Sequence, residues 1–124
     1  MSGPEQQHDW WVVCLCAAWC GVCRDWRAPF GEAARAHPGV RFAWVDVEDD
    51  ADVMGDVDIE TFPTVLVAHG DRALFLGPVQ PSPAQLARLL ASLQAQPQPA
   101  PGLPAHAQPL MQRLARNVLP AGGL

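Results

Sequence analysis

The sequence has few charged residues and no cluster of basic ones. Charged side chains make up 17% of its 124 residues, and the formal net charge is −5. Nucleic-acid-binding domains group Lys and Arg against phosphates, so this composition argues against a nucleic-acid partner. No apolar stretch approaches the roughly 20 residues of a membrane-spanning helix, which argues against a membrane protein. The length of 124 residues indicates one compact domain, and the hydrophobic content of 49% is enough for a single core.

The sequence also lacks the features of a secreted protein. The apolar run 10–20 follows Glu5 and Asp9 with no Lys or Arg before it, the reverse of the charged start of a signal peptide. All four cysteines lie within ten residues, at positions 14, 16, 20 and 23, whereas a secreted framework spreads its cysteines to join distant segments. We therefore predict a cytoplasmic protein whose cysteines serve redox chemistry or bind a metal.

Hydrophobic patterning predicts a sheet with helices on both faces. The order β-α-β-α-β-β-α is typical of an α/β domain, in which helices cover a sheet. Ser82 is placed to cap the last of these helices, and Pro83 suits its first position. The predicted strands are residues 10–17, 40–47, 63–68 and 73–76, and the predicted helices are 20–37, 51–55 and 82–94.

The composition changes after residue 95. Residues 1–95 form the predicted domain, and residues 96–124 hold a Pro-rich linker and a short amphipathic segment. The apolar residues of that segment share one side at helical spacing: Leu110, Met111, Leu114 and Val118. Two interpretations of 96–124 stay open. It is a disordered tail or a helix lying back on its own domain, or it docks a partner or a second copy of the chain.

A Cys-x-x-Cys motif stands where an apolar run meets the first predicted helix, in the order Trp19-Cys20-Gly21-Val22-Cys23. Two cysteines at this spacing can close a small disulfide ring. The unpaired backbone N–H groups of a helix start favour the thiolate of the first cysteine. The motif therefore predicts a reversible dithiol.

Together with Phe62-Pro63-Thr64, which opens a later apolar run, this motif resembles the thioredoxin superfamily. The cysteine motif is similar to that family's Trp-Cys-Gly-Pro-Cys, and Phe62-Pro63-Thr64 is similar to its cis-proline turn. The resemblance covers residues 10–94. It implies a thioredoxin-like α/β fold with a central mixed sheet of about four strands and helices on both faces. The family's opening strand and helix are expected to be missing.

The resemblance implies a thiol–disulfide oxidoreductase that acts on disulfides in protein substrates and needs no cofactor or metal. Cys20 is the expected nucleophile, and Cys23 is expected to resolve the mixed disulfide. An upstream thiol or dithiol reductant would restore the pair, because the cytosol keeps dithiols reduced. The residues expected to bind substrate are Trp19, Gly21, Val22, Phe62 and Pro63.

The chain departs from the family pattern around the motif, and we expect these positions to modulate the dithiol. Cys14 stands where the family has a buried aspartate, Cys16 where a tryptophan is common, and Trp44 where a lysine often stands. Arg24 can add positive potential beside the first cysteine of the motif. Without the aspartate Cys23 loses a candidate proton acceptor, which predicts a slow resolving step.

Other roles for the cysteines stay open. Cys14 and Cys16 are two residues apart on a predicted strand and so face the same side. They are either small buried hydrophobes or auxiliary thiols, with Cys14 able to exchange with Cys23. All four cysteines could instead bind zinc or an iron–sulfur cluster. The last alternative is a non-catalytic interaction module that uses the C-terminal segment and the acidic stretch 46–60.

Overall fold

A four-stranded mixed sheet forms the centre of the structure, a computed structural model that describes residues 10–119. The strands are β1 (Trp10–Cys16), β2 (Arg41–Asp46), β3 (Thr64–His69) and β4 (Arg72–Pro78), and the helices are α1 (Gly21–Ala36), α2 (Ala51–Met54), α3 (Pro83–Ala95) and α4 (Ala107–Asn117). In the order β2-β1-β3-β4, β1 is parallel to β2 and the other neighbours are antiparallel. The predicted α/β architecture is confirmed. The expected lack of an opening strand and helix concerns residues 1–9, which lie outside the described residues.

The central strand β1 is buried on both faces because helices cover both sides of the sheet. Alternate side chains of a strand point to opposite faces. Cys14 and Cys16 join the core layer beneath α1 and α3, whereas Val13 and Leu15 join the layer that α2 and α4 cover. Cys14 and Cys16 therefore face the same side, as predicted.

Helices α1 and α3 present apolar stripes to the first layer. On α1 the buried residues recur at helical spacing: Cys23, Trp26, Phe30 and Ala33. The Ser82 hydroxyl accepts a hydrogen bond from the Gln85 N–H at 3.3 Å and caps α3, and Pro83 occupies the first turn, as predicted. No helix in the described part of the chain combines the length and the apolar character that crossing a bilayer requires.

The C-terminal helix α4 lies back on its own domain and covers the second face of the sheet. Its buried residues are Ala107, Leu110, Met111 and Leu114. The Gln108 side chain accepts from the Ala73 N–H at 2.8 Å and donates to the Asp71 carbonyl at 2.7 Å. Because the apolar side of α4 contacts the sheet, a docking partner would have to displace the helix to use that side.

An arginine on α4 also closes the end of α2. The Arg113 guanidinium donates to the carbonyls of Val53 and Met54 at 2.6 and 3.0 Å. These are carbonyls of the last turn of α2, which lack partners within a helix. Gly55 follows in the left-handed region, with φ of 63°, and an added Cβ there would lie 3.2 Å from the same guanidinium. The glycine thus permits the positive φ of the turn and leaves space for the Arg113 side chain of α4.

Candidate active site

The predicted site residues gather at one end of the sheet, where β1 and β2 finish and β3 starts. Cys16 is paired with Asp46 at the ends of β1 and β2, and Leu15 is paired with Thr64 at the start of β3. This register places the loop 17–20 beside the loop 61–63, although the two are far apart in sequence. The cysteine motif and the Phe62-Pro63 segment therefore share one edge of the sheet.

Cys20 is the N-cap residue of α1 and a free, half-buried thiol. Its backbone is extended, and its side chain makes no capping hydrogen bond. Its own N–H donates to the Ala17 carbonyl at 3.0 Å, which closes the turn that leads into the helix. The first turn of α1 contains no acidic residue, so the positive end of the helix dipole stays available to an anion at this sulfur.

An apolar rim borders Cys20. The Trp19 side chain is 62% exposed, and its ring meets Phe62 edge to face with the ring centroids 5.6 Å apart. The Phe62–Pro63 peptide bond is cis, and Pro63 itself is buried. Val22 is also exposed, as is Gly21. Four of the five residues expected to bind substrate thus form a surface beside a free thiol, whereas Pro63 does not reach that surface.

A groove of about 360 Å³ extends from this rim along the acidic loop. Trp19 and Phe62 line its start, and Met54 and Gly55 of the α2 turn line its wall. Glu48 is an acidic lining residue, and it also accepts a hydrogen bond of 2.9 Å from the Trp19 indole N–H. The orientation of the exposed tryptophan is therefore held by a residue from the loop after β2.

Asp46 and Glu48 are site residues that the sequence alone does not identify. The Asp46 carboxylate accepts the Ala18 N–H at 3.1 Å through one oxygen, and through the other it accepts the N–H groups of Glu48 and Asp49 at 2.8 and 3.1 Å. It therefore ties the loop before Cys20 to the loop after β2. The only signal in the sequence was that Asp46 opens the acidic stretch, where the individual acids look alike.

Asp46→Asn should lower the free energy of unfolding by about 1–3 kcal/mol. Both carboxylate oxygens of Asp46 accept backbone N–H groups, so an amide nitrogen in either position faces another donor and at least one charge-assisted hydrogen bond is lost. Urea denaturation followed by circular dichroism measures the change. Asp49→Asn is the matched control, since that side chain is exposed and should shift stability by less than about 0.5 kcal/mol. Equal stability of the two variants would contradict the role of Asp46.

The disulfide in the structure joins Cys16 to Cys23, whereas the motif predicts a ring between Cys20 and Cys23. The Cα atoms of Cys16 and Cys23 are 5.9 Å apart, within the usual range for a disulfide. Cys23 is the third residue of α1 and points onto β1, where Cys16 lies in the same core layer. The auxiliary partner of Cys23 is thus Cys16 rather than Cys14.

Cys14 is a buried free thiol next to this disulfide. Its sulfur lies 3.6 Å from the sulfur of Cys16. Burial raises the pKa of the Cys14 thiol from 9.0 to about 12, and the nearby Trp26 indole N–H opposes part of this shift. By distance and angle, that N–H forms no hydrogen bond with any described residue. Cys14 therefore remains a protonated thiol at neutral pH.

The two other expected modulators lie on the flank of the motif. Arg24 donates to the Ala18 carbonyl at 3.0 Å, and an added Cβ on Gly21 would lie 3.8 Å from its guanidinium. Trp44 is half-buried on β2 and stacks under the Arg27 guanidinium at 5.0 Å. Both residues line a side cleft of about 410 Å³ that reaches Cys23; its lining is Ala17, Ala18, Cys23, Arg24, Arg27, Trp44, Asp46, Asp49 and Asp50.

The four cysteines do not surround a common point. Cys14, Cys16 and Cys23 are buried in the first core layer, whereas Cys20 lies half-exposed at the surface. Within residues 10–119, no group of three or more His, Cys, Asp or Glu side chains is arranged to hold a metal ion. The arrangement fits disulfide exchange among neighbouring sulfurs, since Cys23 has Cys16 on one side and its motif partner on the other.

The chain is similar in sequence to known proteins. The family model described as Thioredoxin matches residues 5–89. Protein disulfide isomerase-like 2-3 of rice is 31% identical over 90 residues, covering 72% of this chain and 19% of that protein. A thioredoxin H-type of Brassica campestris is 35% identical over 74 residues, or 60% of each chain. The mitochondrial thioredoxin-3 of Saccharomyces cerevisiae is 29% identical over 62 residues, 50% of this chain and 49% of its own. The chain thus spans less than two thirds of each of these relatives.

Solved structures show the same fold at low identity. The thioredoxin of Fasciola hepatica superimposes with a TM-score of 0.62 at 23% identity, over 71% of this chain and 84% of that one. Oxidised mitochondrial thioredoxin 3 of S. cerevisiae gives 0.60 at 24% identity, over 71% and 82%. These neighbours confirm the predicted thioredoxin-like fold. Since the family model also matches more than half of the sequence, the chain belongs to the thioredoxin family.

Proposed function

We propose that this domain is a thiol–disulfide oxidoreductase that reduces disulfides in protein substrates. The observation that carries the proposal is the free, half-buried thiol of Cys20 at the N-cap of α1, bordered by an apolar rim. A helix N-terminus stabilises an anion, and the thiolate is the nucleophile in disulfide exchange. Thioredoxin relatives support the general reaction.

In the proposed reaction Cys20 attacks one sulfur of the substrate disulfide. The substrate's other sulfur leaves as a thiolate, and a mixed disulfide forms at Cys20. Cys23 then attacks Cys20, releases the second substrate thiol and leaves the domain oxidised. Cys23 must first be free of its bond to Cys16, so the reductive reaction begins from the fully reduced domain.

The rim and the groove would hold the substrate. Trp19 and Phe62, whose rings are in edge-to-face contact, would offer one continuous apolar surface to an extended segment, and the backbone before Pro63 would offer hydrogen bonds to it. Gly21 and Val22 complete the surface next to the thiol. Folded partners with a disulfide on a protruding loop fit such a surface, because a narrow rim reaches only an exposed sulfur.

The direction of the reaction depends on the compartment and on a second protein. We place the domain in the cytoplasm, where an upstream dithiol or thiol reductant would restore its cysteines. The proposal assigns no partner to α4, whose apolar side packs on the sheet. Docking of the C-terminal segment to another protein would need that helix to leave its place.

The test is the redox equilibrium of the purified protein in buffers of graded dithiothreitol ratio. Free thiols are counted after acid quenching and denaturation, so that buried cysteines are included. We expect loss of two thiols in one two-electron transition with a midpoint near the roughly −270 mV of thioredoxin. A midpoint near −120 mV would make the domain an oxidant and contradict the reducing direction. Four thiols that persist under every condition would contradict the oxidoreductase itself.

A further inference from the structure

Cys23 has two cysteines within reach, and they lie in different environments. Cys20 is its partner within the motif, since an N-cap side chain reaches toward the third residue of the helix. Cys16 is its partner in the structure, bonded across from the end of β1. The first partner is half-exposed, whereas Cys16 is 1% exposed and Cys23 is fully buried. The Cys23 sulfur can thus bond either to Cys20 near the surface or to Cys16 in the core.

We propose that Cys16 is a third reacting cysteine, which takes over the disulfide from Cys20 and holds it in the core. The proposal rests on the proposed function, because the disulfide must first form between Cys20 and Cys23. Cys16 then attacks the Cys23 sulfur and displaces Cys20. The product is the Cys16–Cys23 bond that the structure contains, together with a free Cys20 at the surface.

The step balances without an outside oxidant or reductant. Cys16 reacts as a thiolate, and the proton that it loses passes to solvent. The Cys16–Cys23 bond forms and the Cys20–Cys23 bond breaks. Cys20 leaves with the bonding electron pair as a thiolate at the helix N-terminus, which stabilises a negative charge. The domain contains one disulfide before and after the step, so its oxidation state is unchanged and only the position of the disulfide changes.

Cys14 acts as a positioning residue for this step. A disulfide sulfur carries no hydrogen, so in the 3.6 Å contact the Cys14 thiol donates to Cys16. When Cys16 is reduced, the same donor would favour its thiolate. Cys14 keeps its proton at neutral pH because burial raises its pKa to about 12. It is therefore a donor next to the reacting sulfur and a poor nucleophile itself, and the disulfide stops at Cys16.

This transfer changes what the oxidised domain can do. A domain with a Cys20–Cys23 disulfide has no free thiol at the surface. After transfer it has one, and Cys20 can form a new mixed disulfide. Cys23 is then bonded to Cys16 and cannot resolve that mixed disulfide. The oxidised domain therefore stays covalently bound to its partner, whereas the reduced domain releases it.

The test maps the disulfide in the oxidised wild-type protein. The reduced protein is treated with one equivalent of diamide and quenched in acid, and its free thiols are blocked with N-ethylmaleimide in mildly acidic denaturant. The disulfide is then reduced and labelled with iodoacetamide. Arg24 is the first Lys or Arg of the sequence, so one tryptic peptide carries all four cysteines. Tandem mass spectrometry of that peptide shows which two bear the second label.

We expect the second label on Cys16 and Cys23 in most molecules, and the first label on Cys14 and Cys20. Labels that pair Cys20 with Cys23 would overturn the proposed transfer and leave the proposed function standing. A disulfide that includes Cys14 would overturn the assignment of Cys16. Four cysteines with the first label would overturn the transfer and the oxidoreductase together. The wild-type protein alone decides among these outcomes.

Variants test the step itself. In Cys16→Ala the oxidised protein should keep the Cys20–Cys23 disulfide, so Cys20 should no longer react with N-ethylmaleimide. Cys14→Ala should lower the fraction of Cys16–Cys23 disulfide, and Cys14→Ser, which keeps a donor, should restore it. Equal fractions in the two Cys14 variants would show that its hydrogen bond does not position Cys16. If Cys20 in oxidised Cys16→Ala still reacted with N-ethylmaleimide, the transfer would be overturned.

Discussion

Cys20→Ser should lower the rate at which the domain reduces a protein disulfide by at least roughly a thousandfold. Cys20 is the one free cysteine at the surface of the described residues, and the other three are buried. A serine hydroxyl is not ionised near neutral pH and cannot replace the attacking thiolate. The measurement is the initial rate at which a disulfide-bonded protein is reduced, with dithiothreitol as the reductant and the reduced substrate counted by mass spectrometry after alkylation.

Two observations make this result specific. Circular dichroism should be unchanged in Cys20→Ser, because the variant leaves the core cysteines in place. Arg35→Ser is the matched control, since Arg35 is exposed in the last turn of the same helix, at the end far from the motif. Its rate should equal that of the wild type. A Cys20→Ser variant that keeps more than a tenth of the activity would place the nucleophile elsewhere.

Leu110→Ala should lower the free energy of unfolding by about 2–5 kcal/mol. Leu110 is fully buried where α4 meets the sheet, together with Met111 and Leu114. Removal of its side chain leaves a cavity in the second core layer, where α4 is the only long helix among residues 10–119. Urea denaturation followed by fluorescence and circular dichroism measures the loss, provided that the two probes coincide.

The control on the same helix is Gln112→Ala. Its side chain is exposed, and the substitution should change stability by less than about 0.5 kcal/mol. If Leu110→Ala and Gln112→Ala unfolded at the same urea concentration, α4 would not pack on the sheet in solution. That result would favour the interpretation of residues 96–124 as a segment that docks elsewhere.

Local patterns in the sequence predict most of this fold. Alternating and continuous apolar runs mark the four strands, and the capping residues Ser82 and Pro83 mark the start of α3. The bounds differ from the predicted ones only at the ends of elements, where assignments vary in any case. The amphipathic pattern of α4 predicts an apolar side, but a pattern does not say which surface covers it. The structure supplies that surface, the second face of its own sheet.

The site is predicted less completely because its contacts join distant segments. Spacing alone identifies the motif and the Phe62-Pro63 segment, and the period of a strand puts Cys14 and Cys16 on one side. The bond of Cys23 to Cys16 depends on how the loop 17–20 turns α1 back over β1, which spacing does not determine. The anchoring of that loop by Asp46 depends on the parallel pairing of β1 with β2.

The Arg113 contacts determine how the chain responds to mechanical load. A force that peels α4 away from its C-terminal end loads the hydrogen bonds of Arg113 to the carbonyls of Val53 and Met54 before those of Gln108 to Asp71 and Ala73, because Arg113 is closer to that end. Met54 is part of the wall of the groove that starts at Trp19. Peeling the C-terminal helix therefore pulls on that wall while the hydrogen bonds of Gln108 to the β3–β4 hairpin are still in place.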